Sequence, residues 1–169
     1  GKYKLLQVRV PMRKLYLDMN KLADDCSAVF AVDTAGTESE LILAGTTVYS
    51  MPVSCRDAEY QKWAEEYDIH FIFDDNYVTV DFYTIPHIVI FAADGQNGYL
   101  AAIGEDCGPD SDAPICYIDG NRNCFMAAGN FKDLMDKRIV WKTQLQPCDK
   151  VLLFRSKKEA QGKYDVFDA

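Results

Sequence analysis

The run IVIFAADGQNGYLAAIG, Ile88 to Gly104, decides the fold. His87 to Ala92 and Tyr99 to Ile103 are apolar, strand-length stretches on either side of a short polar turn, Asp94 to Gly98. Two such stretches so closely spaced pair as an antiparallel hairpin. Gly95 and Gly98 supply the positive φ that a tight turn asks for. Asp94 is placed to fold its carboxylate onto nearby backbone amides.

Downstream, a loop rich in carboxylates, EDCGPDSD (Glu105 to Asp112), leads into a third strand, Pro114 to Ile118. Asn130 then caps a helix whose apolar face carries Phe131, Leu134 and Met135. Val151 to Phe154 reads as a late strand. Ser156 with Glu159 reads as the capping box of a short last helix. Arg155, Lys157 and Lys158 put positive charge at that helix start, where the dipole disfavours it. That points to a carboxylate close by.

Upstream, Tyr60, Trp63, Ala64 and Tyr67 fall at i, i+3, i+4 and i+7, the clearest amphipathic helix in the chain, preceded by Ser54 and Asp57 as cap signals. Ile69 to Phe73 and Tyr77 to Tyr83 read as strands flanking the turn-forming trio Asp74-Asp75-Asn76. With the hairpin they predict an antiparallel meander. Leu41 to Ser50 is extended with a bend at Gly45. Lys4 to Val10 reads as a strand ended by Pro11. Between Lys14 and Val32 the pattern is mixed: Leu15, Met19, Leu22 and Cys26 have helical spacing, but Ala28 to Val32 favours strand. The prediction is one α+β domain over residues 1–169, a central, mostly antiparallel sheet with helices packed on it.

The 169 residues are 49% hydrophobic and 12% aromatic, enough for a real core. No apolar run approaches the roughly 18–20 residues of a spanning helix, and a cytoplasmic location without membrane contact is expected. The chain begins at Gly1, which leaves a processed end open. Charge is distributed unevenly. Between Lys62 and Arg122 there is no lysine or arginine but twelve carboxylates, so this stretch at −12 outweighs the rest and sets the net charge of −8. A contiguous anionic face would repel nucleic acid and anionic lipid and steer basic proteins inward.

The layout of Ile88 to Gly104, APICYIDG (Ala113 to Gly120) and AGNFKDLM (Ala128 to Met135) resembles the Smi1/Knr4 (SUKH) superfamily. So does GTTVYS, Gly45 to Ser50, which is similar to that family's upstream glycine-plus-tyrosine strand. The likeness spans roughly Gly45 to Met135. It departs from the family at Asn130, where Ser is usual, and in lacking the N-terminal proline-containing helix motif. The resemblance implies an α+β fold and a non-enzymatic role. Many bacterial members are immunity proteins that neutralise toxins, and fungal relatives are linked to regulation of cell-wall glucan synthesis. It also implies structural roles for Gly45, Tyr49, Gly95, Gly98 and Phe131.

The site reading follows from charge and family together. Asp94, Glu105, Asp106, Asp110 and Asp112 would form an acidic lip at the sheet edge, with Tyr99 as an aromatic anchor, occupying a basic partner protein such as a toxin domain. A regulatory scaffold in cell-wall synthesis and a hydrolase using scattered carboxylates are the alternatives. No catalytic, metal or cofactor residue is singled out. The six cysteines contain no CxxC pair, and their spacings fit no common zinc knuckle. A few disulfides are compatible with an exported protein. Asp110 and Asp112 miss the EF-hand register. Neither His70 nor His87 sits in a nucleophile motif.

Overall fold

The computed structural model describes residues 13–19, 39–76, 78–104, 108 and 110–168. In chain order these form β1 (Arg13–Asp18), β2 (Ser39–Ala44), β3 (Thr46–Val48), α1 (Ala58–Tyr67), β4 (His70–Phe71), β5 (Tyr83–Ile85), β6 (Ile88–Ala93) and β7 (Tyr99–Ile103). There follow β8 (Ile115–Ile118), β9 (Cys124–Ala128), α2 (Phe131–Asp136), β10 (Gln146–Pro147), β11 (Leu152–Phe154), α3 (Lys157–Gln161) and β12 (Val166–Asp168). The fold is α+β. The strand expected at Lys4 to Val10, and Leu22 and Cys26 of the ambiguous segment, lie outside the described residues. Leu15 falls in a strand, β1.

The hairpin is the centre of the main sheet. β6 pairs antiparallel with β7, from Ile88↔Ile103 to Ala93↔Tyr99, and the meander runs on through β8, β9 and β10. The other edge of β6 is shared. Parallel β3 takes its first half, Thr46↔Ile88 to Val48↔Ile90, and antiparallel β4 takes its second, with His70 opposite Ala93. β6 has both edges paired and both faces covered, so its first five residues are all buried. That is why it reads as an unbroken apolar run.

Each face of the sheet has its own core. On one, Trp63 of α1, Leu134 of α2 and Trp141 pack with Ile69, Phe91, Leu100, Ile115 and Tyr117. Aromatic rings do much of this packing, with Trp63 edge-on to Phe71 and stacked over Phe131. On the other face, Ile72, Phe82, Ile88, Ile90, Cys116, Ile118 and Val151 pack together. A third cluster, Tyr16, Ala44, Tyr83, Ile85, Phe154, Ala160 and Val166, joins a three-stranded parallel sheet in the order β12-β1-β2 to the β5–β11 ribbon and α3.

The sequence reading differs in several places. Asp74-Asp75-Asn76 does not close a hairpin, because β4 pairs with β6 and β5 with β11. Residues 78–82 are not strand. The parallel three-stranded sheet was not foreseen, since its pairings join residues far apart in sequence.

Candidate functional site

Asp94 ends β6, and its carboxylate is used at both oxygens. Oδ1 accepts from the amides of Gln96 (2.9 Å) and Gly98 (2.7 Å). Oδ2 accepts from the Tyr117 hydroxyl and from Lys142 Nζ at 2.9 Å. Lys142 stands on a single 3-10 turn, Trp141–Gln144, and its ammonium also meets Asp68 Oδ2. Asp68 is the left-handed residue (φ 56°) that stops α1. Its Oδ1 accepts from Gly95 N (2.9 Å) and His70 Nε2 (3.0 Å). Trp141 beneath donates its indole N–H to the Tyr67 carbonyl at 2.7 Å. One lysine thus ties the hairpin tip, the end of α1 and the turn after α2 together.

The electrostatics hold these groups in one state. Burial pushes the Asp94 carboxyl up, but the Tyr117 hydroxyl, Lys142 and the two amides outweigh it and bring its pKa to about 2. Asp68 is lowered in the same way, with burial opposed by Lys142 and the Gly95 amide. The Lys142 ammonium, although burial disfavours it, is raised by its two carboxylates. Burial and the neighbouring Asp94 raise Tyr117. Asp94, Lys142 and Tyr117 all move away from neutrality, the reverse of what proton transfer at neutral pH needs.

Asp94 therefore does not belong to an exposed lip. Its side chain is only 1% exposed. It also sits at the wrong end of the sheet: β7 carries the chain back by about 15–20 Å before the acidic loop begins. Tyr99, at the Asp94 end, is half-buried against Phe82 and lies under the Arg122 guanidinium, 5.6 Å from its ring centre. Of the expected lip, Asp110 and Asp112 remain exposed in the β7–β8 connection. Ser111 Oγ accepts from the Ala113 amide there at 3.1 Å. Glu105 and Asp106 lie outside the described residues.

The residues singled out by the resemblance have identifiable tasks. Gly45 (φ 107°) bends the chain between β2 and β3, and a Cβ there would lie 3.2 Å from Asp18 Oδ1. Gly95 and Gly98 do not take the positive φ expected of them; Asn97 does (φ 63°). They are needed for close approach. A Cβ on Gly98 would collide with the Tyr117 hydroxyl, and one on Gly95 would fall 3.2 Å from Asp68. Phe131 fixes α2 against Phe91 and Trp63. Tyr49 extends the β3 pairing through its amide, which donates to Ile90 O at 2.8 Å, yet its side chain is 49% exposed.

At the loop end of the sheet lies a second polar group. Asp18 is buried and pairs with Lys157, the carboxylate anticipated beside the basic start of the last helix. Thr46 and Thr84 share a 2.9 Å hydroxyl contact, and Thr47 Oγ1 lies 2.8 Å from His87 Nε2. Burial lowers His87 and keeps its ring neutral, against the opposing pull of the Gly104 backbone and Asp18.

The anionic stretch is thus divided. Asp75 pairs with Arg56, Asp81 with Arg122, and Asp68 and Asp94 with Lys142. Each of these cations comes from outside the stretch that lacks them. Asp110 and Asp112 meet no cation among the described residues. Nor does any group of three His, Cys, Asp or Glu side chains among the described residues form a metal site. No described helix is long and apolar enough to cross a membrane. Sequence reasoning missed Lys142 and Asp68, whose relation to Asp94 is made only by the fold. Comparison with family models, curated proteins and solved structures finds no match.

Proposed function

We propose that this chain is a non-enzymatic protein-binding domain of Smi1/Knr4 (SUKH) type that occupies a basic partner, a toxin domain being the partner that the resemblance suggests. The observation that carries the reading is the division of charge. Carboxylates around the Asp94 hub and the Asp74 turn are largely matched by Arg56, Arg122 and Lys142. The loop from Glu105 to Asp112 concentrates four carboxylates in eight residues with no basic residue among them. A local anionic loop on a mostly antiparallel sheet speeds encounter with a basic surface and makes it salt-sensitive. Tyr99 and Asp94 drop out of the interface. The Asp94 hub serves to hold the hairpin, the end of α1 and the turn after α2 together.

The test is binding of the purified protein encoded beside this chain's reading frame, measured by titration calorimetry at about 50 and 300 mM salt. Reversing Glu105, Asp106, Asp110 and Asp112 to Lys is expected to weaken binding at least tenfold at low salt and to remove most of its salt dependence. Reversing Glu65 and Glu66 serves as the control and leaves affinity within about twofold. Unchanged affinity in the loop variant would count against the reading.

A further inference from the structure

Three of the cysteines meet on one face of the main sheet. Cys116 on β8 is buried in the second core, and Cys124 on β9 and Cys148 pack against it from the rim. Cys124 and Cys148 are both partly buried against the cluster that holds Cys116. All three are free thiols.

The strand registers decide which pair is able to join. β9 and β10 align Met126 with Gln146 and Phe125 with Pro147, so the next step places Cys124 opposite Cys148. A 3.3 Å bond from Cys148 N to Cys124 O confirms that alignment. Directly opposed, hydrogen-bonded residues have Cα atoms about 5.5 Å apart, inside the disulfide range of about 4.4–6.8 Å. Cys116 instead faces Met126, while Ile118 faces Cys124. Cys116 and Cys124 are therefore diagonal neighbours, about 7–8 Å apart, at or beyond the limit. β10 ends at Pro147, so the Cys148–Cys124 bond is the last of this ladder.

We propose that Cys124 and Cys148 are a redox-active pair, joined into an intramolecular disulfide by a low-molecular-weight disulfide such as oxidised glutathione. Cys148 loses its proton and attacks the oxidant; the oxidant's S–S bond breaks and one of its halves leaves as a thiol. Cys124, in turn deprotonated, attacks the Cys148 sulfur of the mixed disulfide and expels the second half. Two protein thiols are oxidised and one disulfide is reduced to two thiols. The new bond closes a loop from residue 124 to 148 that contains α2 and the Lys142 turn. Contact with Cys116, and then burial, hold the Cys124 thiol protonated, so exchange is slower than at an exposed cysteine and accelerates as pH rises.

The experiment exposes the reduced protein to oxidised glutathione, blocks remaining thiols with iodoacetamide and maps tryptic peptides without reduction. Exposed Cys55 serves as the internal clock for the oxidant. The expected product links Asn123–Lys132 to Thr143–Lys150, melts roughly 5–10 °C higher than the reduced protein, and is absent from Cys148→Ala. Both peptides still alkylated at about pH 9, after roughly a hundred times the period in which Cys55 fully exchanges, would overturn the proposal, as would Cys124 linked to Cys116.

Discussion

Asp94 shows how a side chain that looks like a surface feature in sequence becomes an internal one. An acidic residue opening a glycine-containing turn is ordinarily a solvated Asx turn, and its capping of Gln96 and Gly98 fits that pattern. Tyr117 and Lys142 change its character, since they arrive from β8 and from the turn after α2. The folded chain favours the carboxylate, with a pKa of about 2 against an ordinary 3.8. The stability it contributes is therefore fully present above the ordinary value and is lost as pH falls through the folded one. The shift corresponds to about 2 kcal/mol. Asp94→Asn is expected to lose about that much at pH 7, as read by urea unfolding. The two proteins should converge between pH 4 and pH 2. A constant gap across that range would mean that the loss comes from packing.

At the scale of elements, local signals succeeded where local contacts decide, and failed where a distant strand competes. α1 was legible because Tyr60, Trp63 and Tyr67 repeat at helical spacing, and Asp57 accepts from the Glu59 and Tyr60 amides as an N-cap should. The β6–β7 hairpin and the Asn130 cap were legible for the same reason. The Asp74 turn misled. Its residues favour a tight reversal, but the strand after Ile69 finds a better partner in the free half-edge of β6, and Tyr83–Ile85 finds one in β11. No window of sequence contains that competition. The same limit hid the Asp68–Lys142–Asp94 bridge, because 48 residues separate the lysine from Asp94 in sequence. How α1 is held can be checked at Trp63, which packs against Phe71, Phe131 and Tyr67. Trp63→Ala is expected to cost about 3–5 kcal/mol. Because both helices meet at that ring, near-ultraviolet dichroism and thermal unfolding should show α1 and α2 loosening in one transition. Two separate transitions would show that the helices are anchored independently.

Across the whole molecule, the net charge of −8 sets a balance between repulsion and pairing. The ion pairs of Arg56 and Arg122 are largely exposed and contribute little in salt. The Lys142 bridge is shielded on the Asp94 side and responds weakly to ions. What remains for salt to act on is repulsion among carboxylates, of which the stretch from Glu105 to Asp112 holds four in eight residues. Raising salt from about 0.05 to 0.5 M should therefore stabilise the protein, by less than about 1 kcal/mol, or a rise in Tm of about 2–4 °C. Replacing Glu105 by Gln and Asp106, Asp110 and Asp112 by Asn takes the net charge from −8 to −4. Self-repulsion follows roughly the square of net charge, so about a quarter of the salt effect should survive in that variant. Its Tm at high salt should stay within about 2 °C of the parent, since no described contact depends on those loop carboxylates. A parent protein whose Tm falls as salt rises would show instead that its stability rests on surface ion pairs, and the loop's charge would then have no excess to offer a basic partner.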